Sequence, residues 1–114
     1  MSAITTHILD TARGRPASGV LVVLDFRGSD GAYREAGVDV TDADGRARGL
    51  LPDGALPAEG QYRLTFHTGA YFSAAAVESF YSEVIVTFIV RDPKQHHHVP
   101  LLLSPFGYST YRGS

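Results

Sequence analysis

The chain has 114 residues, a formal charge of −2, 44% hydrophobic and 19% charged residues, and no cysteine. That length suits one domain, residues 1–114, that buries roughly 60–70% of its unfolded surface without a disulfide or metal staple. The missing cysteines exclude disulfide and thiolate chemistry and fit a reducing compartment. The dispersed charge offers no polyanion surface, so no nucleic acid partner is expected. No apolar stretch is long enough to span a bilayer and no leader-like segment opens the sequence, so a soluble cytoplasmic protein with no membrane partner is expected.

Alternation with period two dominates the pattern. Ile4, Thr6 and Ile8 share one face of a predicted strand over residues 3–9, and Thr5, His7 and Leu9 share the other. Gly14 and Pro16 mark residues 10–18 as a loop. The β-branched, apolar run 20–26 predicts a strand with both faces largely buried. A turn at 28–31 leads to a weaker strand at 32–40. Asp42-Ala43-Asp44-Gly45 predicts a turn, because Asp bonds its own backbone and Gly accepts positive φ. The chain is expected to run extended from 45 to 51 and then to loop through the Pro- and Gly-rich segment 52–60. Tyr62, Leu64 and Phe66 oppose Arg63, Thr65 and His67 in a half-buried strand over 61–68. Segment 71–78, with Ala74, Ala75 and Ala76, is the good helix candidate, and Thr68 is its candidate cap. A helix that short needs packing to hold it. Strands follow at 83–90, 97–104 and 108–111, the last two joined by Pro105-Phe106-Gly107. Seven or eight short strands with regular turns and one short helix predict an antiparallel β-sandwich.

Five histidines are present, and His7, His96 and His98 stand out by position. Imidazole is the side chain that changes charge near neutral pH, and the natural general base. On a strand His96 and His98 point one way, and His97 points the other way with Val99, Leu101 and Leu103. If that Val-Leu-Leu face fills the core, His98 lies on the opposite face beside Pro100 and Leu102. A second face with this apolar content is expected to be covered by another subunit or by a ligand. Spacing leaves three readings open: a base that activates water, a histidine-only zinc site of His7, His96 and His98, or ordinary hydrogen-bonded imidazoles. Arg46 and Arg48 share a strand face after the Asp-Gly turn. Each is either a solvated arginine or a planar clamp for a carboxylate or polarised carbonyl. Arg112 is placed to pair with the Ser114 carboxylate or with a ligand. Tyr108 and Tyr111 read as core aromatics with satisfied hydroxyls, and Ser109 and Thr110 as ordinary polar strand residues.

The run 96–114, HHHVPLLLSPFGYSTYRGS, closely resembles the signature of the 5-hydroxyisourate hydrolases, transthyretin-related enzymes of purine catabolism. Thr5-Thr6-His7-Ile8-Leu9-Asp10 with Gly14 and Pro16, Thr41-Asp42-Ala43-Asp44-Gly45-Arg46, and Thr68-Gly69-Ala70-Tyr71-Phe72 are further landmarks in the same order. The resemblance covers essentially the whole chain. It implies an all-β, transthyretin-like sandwich of two four-stranded sheets with one short helix. It also implies a homotetramer, a dimer of dimers, with active sites in the channel between dimers, and no cofactor or metal. The family's catalytic residues fall on His7, Arg46, His98 and Ser114, and its substrate-binding residues on Tyr111, Arg112 and Gly113. Arg46 is preferred to Arg48 because it directly follows the Asp-Gly turn. Two positions depart from the pattern: Phe106 stands where Tyr is common and His97 where an aromatic is common.

The implied reaction is hydrolysis of 5-hydroxyisourate to 2-oxo-4-hydroxy-4-carboxy-5-ureidoimidazoline, with water attacking a ring carbonyl and a ring C–N bond opening. His7 and His98 would activate water and move protons, Arg46 would clamp substrate and stabilise negative charge, and Ser114 would orient water or substrate. The alternative class is a small-molecule carrier like transthyretin, which lacks the His, Arg and terminal Tyr-Arg-Gly-Ser set. If the terminal residues wall the pocket, a tag after Ser114 is expected to impair activity more than one before residue 1.

Overall fold

The structure is a computed structural model that describes residues 2–114. Its strands are β1 (Ile4–Asp10), β2 (Arg15–Pro16), β3 (Leu21–Arg27), β4 (Tyr33–Val40), β5 (Arg46–Ala47), β6 (Gly60–Phe66), β7 (Val84–Val90), β8 (His97–Ser104) and β9 (Gly107–Thr110). The helix α1 (Thr68–Ala74) lies between β6 and β7. One sheet has the order β4-β3-β6-β7 and is antiparallel throughout. The other has the order β2-β1-β8-β9, with β5 also on β1. The two short strands share one edge of β1 in succession: β5 pairs with Thr6 and His7, and β2 with Leu9 and Asp10. The sandwich of two sheets and a short helix is therefore as expected, but the second sheet has five strands rather than four, because two short strands share one edge of β1.

Within this architecture one pairing is parallel rather than antiparallel. β1 and β8 run side by side from Ile4↔His97 to Asp10↔Leu103. Parallel strands need a long connection to return the chain to its starting end, and the whole β3-β4-β6-β7 sheet lies in that connection. The segment expected to be a loop at 10–18 also contributes β2. Of the extended run 45–51 only Arg46 and Ala47 form a strand, while the Gly45 and Arg48 carbonyls accept the N–H groups of Ile8 and Ser2.

The core is the sum of the alternating inward faces. Ile4 and Ile8 of β1, Val22 and Leu24 of β3, Leu64 and Phe66 of β6, and Leu101 and Leu103 of β8 are almost entirely removed from solvent. Each such side chain contributes roughly 1.5–3 kcal/mol of burial. His97 and Val99 share the inward face of β8, as the alternation predicts. β3 departs from expectation: Leu21 is 39% exposed, in an open cleft that it lines with Ala70, Tyr71 and Ala74 of α1. Tyr108 and Tyr111 are exposed rather than core aromatics, and Tyr108 packs edge-on against Tyr81.

The helix starts and ends earlier than the Ala-rich segment suggests. His67, with no side-chain cap bond, is the residue that precedes it. Thr68 lies inside the first turn, where its buried Oγ1 has no hydrogen-bond partner. Packing of Phe72 into the core takes precedence over alanine propensity. The helix is closed by the Ala76 and Val77 N–H groups, which donate to the carbonyls of Ser73 and Phe72. Ala76 itself sits in the left-handed region at φ 56°. This is the position that glycine usually fills at a helix end, and an L-residue there costs about 1–2 kcal/mol. Ala76→Gly should therefore raise stability by up to about 1 kcal/mol, and Ala76→Val should lower it by more than about 1 kcal/mol. Urea unfolding measures both, and a destabilised glycine variant would contradict the strain.

Candidate active site

The candidate site lies on the outward face of the β1–β8 sheet. The parallel register sets Thr5 beside His98 and His7 beside Pro100, while β5 sets Arg46 beside His7. A cleft of about 250 Å³ opens there, lined by Thr5, Thr6, Arg46, Arg48, His96, His98 and Ser114.

Arg46 is delivered by the Asp-Gly turn. The Asp42 carboxylate accepts the N–H groups of Asp44 (2.9 Å) and Arg46 (3.0 Å). The bond from the Arg46 backbone is the main reason that its carboxyl titrates below the usual carboxylate range. Gly45 makes the turn at φ 76°, and a Cβ there would stand 2.5 Å from the Ile8 carbonyl oxygen. The turn thus holds β5 flush against β1 and leaves the Arg46 side chain half-buried at the cleft.

His98 is held on two sides. Its Nδ1 lies 2.8 Å from Thr5 Oγ1. Gly113 bridges back to β8, its N–H donating to the His98 carbonyl at 2.8 Å. A Cβ on Gly113 would stand 2.7 Å from His98 Cδ2 and 3.1 Å from Pro100 Cγ, so glycine here serves close approach. Burial lowers the His98 pKa from the ordinary imidazole value, and the charges of Arg46, His96 and His7 lower it further. The ring is consequently neutral, and able to accept a proton, further into acid than a free imidazole.

The expected site residues divide into groups. Arg46, His98 and Ser114 share the cleft, and Gly113 fixes the backbone beside it. His7 is half-buried next to it and does not line it within a single chain. Tyr111 and Arg112 line a different cleft, of about 230 Å³, toward Val86 and Phe88 of β7. Arg112 does not pair with Ser114; its Nη2 donates to Gln95 Oε1 at 3.1 Å. Arg48 and His96, whose roles spacing leaves open, both line the first cleft. His97 points inward, with Nδ1 2.9 Å from the Gln95 carbonyl oxygen, and burial lowers its pKa first, then the charge of Arg112. Among the described residues no group of three or more His, Asp or Glu side chains is placed to hold a metal ion. Thr5 and Thr6 are cleft residues that the pattern does not single out. The visible signal was the alternation that puts Thr5 on the same face as His7.

Comparison with known proteins follows from this geometry. Residues 4–113 match the family described as HIUase/Transthyretin. The chain belongs to that family. A family relative from Caulobacter vibrioides, named 5-hydroxyisourate hydrolase, is 49% identical over 119 residues and covers 100% of both chains. Among solved structures, 5-hydroxyisourate hydrolase of Klebsiella pneumoniae superposes with a TM-score of 0.87 at 39% identity, covering 100% of each chain. Sea bream transthyretin in complex with thyroxine superposes with a TM-score of 0.90 at 32% identity, covering 98% of this chain and 95% of that one. The family's sandwich is thus shared by a protein named a hydrolase and by a transthyretin solved in complex with thyroxine.

Arg46 is a positive charge that opposes protonation of His98. In Arg46→Gln the His98 titration midpoint should therefore move upward, toward the ordinary imidazole value. Histidine ring signals followed by NMR across the acid range test this; an unmoved or lower midpoint would show that Arg46 does not act on the ring.

Proposed function

We propose that this chain hydrolyses 5-hydroxyisourate to 2-oxo-4-hydroxy-4-carboxy-5-ureidoimidazoline. The observation that carries the reading is a doubly supported His98, its pKa lowered by burial, sharing one cleft with Arg46 and Ser114, in a chain 49% identical over its full length to a named 5-hydroxyisourate hydrolase. We read residues 1–114 as one hydrolase domain, and the family match over 4–113 supports that extent.

The reaction needs a base for water and a stabiliser for the oxyanion that forms at the attacked carbonyl. His98 takes the water proton as the oxygen attacks. Arg46 binds the developing negative charge with fixed planar donors. The tetrahedral centre then collapses, the ring C–N bond breaks, and the departing nitrogen takes back the proton held by His98, with His7 beside the cleft to assist the transfer. Ser114 orients water or substrate at the open end of the cleft. Tyr111 and Arg112 hold the terminal segment in place, and through Gly113 they set its distance from His98. Orientation of this kind contributes as much as the acid–base groups themselves.

The assembly we infer is a homotetramer, a dimer of dimers. Two features support it. β7 and β9 are free edges that need pairing or cover. His7 stands beside the cleft without lining it, so a second copy seated on this face would complete the enclosure. A cytoplasmic location fits the cysteine-free chain, and no helix among the described residues is long and apolar enough to cross a membrane.

The deciding measurement is the ultraviolet decay of freshly generated 5-hydroxyisourate with and without the protein. A carrier would leave the spontaneous rate unchanged. His98→Asn should lower turnover by about 10²–10⁴-fold with an unchanged circular dichroism spectrum, and near-normal turnover would remove His98 from the chemistry. Gly113→Ala should lower kcat by roughly 10–100-fold, because its methyl must push the terminal segment away from His98. Unaltered kcat would show that this spacing is unimportant.

A further inference from the structure

At the back of the cleft two imidazoles share one hydroxyl. Thr5 Oγ1 lies 2.9 Å from His96 Nε2 and 2.8 Å from His98 Nδ1. The rings are close to parallel, with 22° between their planes and 6.1 Å between centroids. Thr5 is only 3% exposed. A hydroxyl has a single proton to give. When both rings are neutral, one nitrogen receives the Thr5 proton and the other must bring its own. The tautomers of His96 and His98 are therefore linked through Thr5.

The two arrangements have different chemical consequences. If Thr5 donates to His98 Nδ1, the His98 proton sits on Nε2 and the ring cannot accept one from water. If Thr5 donates to His96 Nε2, His98 keeps its proton on Nδ1 and its Nε2 is bare. Thr5 holds the Nδ1 edge of His98 and Gly113 lies against the Cδ2 edge, which leaves the distal Cε1–Nε2 edge clear of both. His98 lines the cleft with Arg46 and Ser114 and also the neighbouring one with Tyr111 and Arg112. Turning the ring over would replace Nδ1 with a carbon at Thr5 and lose the bond.

We propose that Thr5 and His96 are positioning residues of the hydrolytic site: the shared hydroxyl, its proton committed to His96, holds His98 as the Nδ1–H tautomer with Nε2 bare and aimed into the cleft. The inference rests on the hydrolase reading above. The pair does for His98 what the carboxylate does for histidine in a Ser-His-Asp triad, setting tautomer and orientation, but with an uncharged partner. During the reaction His98 Nε2 takes the proton of the attacking water while Nδ1–H continues to donate to Thr5. The same proton returns from Nε2 to the departing nitrogen, so Thr5 and His96 end unchanged. The lowered pKa of His98, to which the charges of Arg46, His96 and His7 contribute, fits a ring that rests neutral between turnovers.

The test uses the full chain with nitrogen-15-labelled histidine. Its NMR spectrum should show His98 protonated on Nδ1 and bare at Nε2. Thr5→Val removes only the hydroxyl; it should mix the His98 tautomers and lower kcat by about tenfold or more, with KM changed less than about threefold. Thr5→Ser should restore most of kcat. His96→Phe, at an exposed position, should likewise disturb the His98 tautomer and lower kcat, and it answers the question if the threonine variant does not fold. A resting His98 protonated on Nε2, full kcat in Thr5→Val, or a serine variant as poor as the valine one would each overturn the proposal. Absence of turnover in the unaltered protein would overturn the hydrolase reading instead, while the ring spectrum would still decide the tautomer.

Discussion

The parallel pairing of β1 with β8 is the constraint on which the rest of the site depends. Seven residues of each strand are in register, from Ile4↔His97 to Asp10↔Leu103. Side chains alternate with period two, so a slip of one residue would turn every one of them to the other face. In the observed register Ile4, Ile8, Val99, Leu101 and Leu103 fill the core. Thr5, His7, His98 and Pro100 then fall together on the outside. Core packing thereby selects the register, and the register brings together residues 93 apart in the chain, Thr5 and His98. The hydrophobic effect, which is non-directional, in this way positions a hydrogen bond that is strictly directional.

Electrostatics at the cleft follow from the same placement. Arg46 and Arg48 both line it, and the nearby Asp42 carboxylate is engaged with backbone N–H groups of its own turn. The turn thus spends its acceptor on shape. What remains is a basic cleft with a partly buried imidazole whose pKa is lowered by burial and then by neighbouring charge. A neutral base beside a fixed cation suits a reaction in which water loses a proton while a carbonyl oxygen gains negative charge.

The sandwich does not itself decide the chemistry. A hydrolase and a transthyretin solved with thyroxine both superpose on this chain with TM-scores of 0.87 and 0.90. Folds host sites, and the site carries function. In this chain the core face of the β1–β8 pair is occupied by aliphatic packing and the opposite face by histidine, arginine, threonine and the terminal residues. The two faces of one strand pair thus separate the core from the candidate site, and a side chain on the outer face can change without emptying the core.

Much of this was legible in the residue pattern. Alternation in 97–104 separated His97, with Val99 and Leu101, from His98, because strand geometry is local and has a fixed period. The Asp-Gly turn before Arg46 was legible for the same reason, since an Asx turn is made by neighbours in sequence. The terminal signature pointed to the family. Local propensity misled at the helix, where Phe72 packing ends it before the alanines run out, and at Thr68, which is buried rather than capping. It could not separate Tyr111 and Arg112 from Ser114, which tertiary packing sends to a different cleft. Nor could it reveal that Thr5 joins His96 to His98. By itself the sequence determined which side chains share a face of each strand and which residue types are present for acid–base work. Only the tertiary structure decided which strands lie side by side, because the parallel β1–β8 pairing is enforced by burial across the whole sandwich, and no short stretch of residues encodes it.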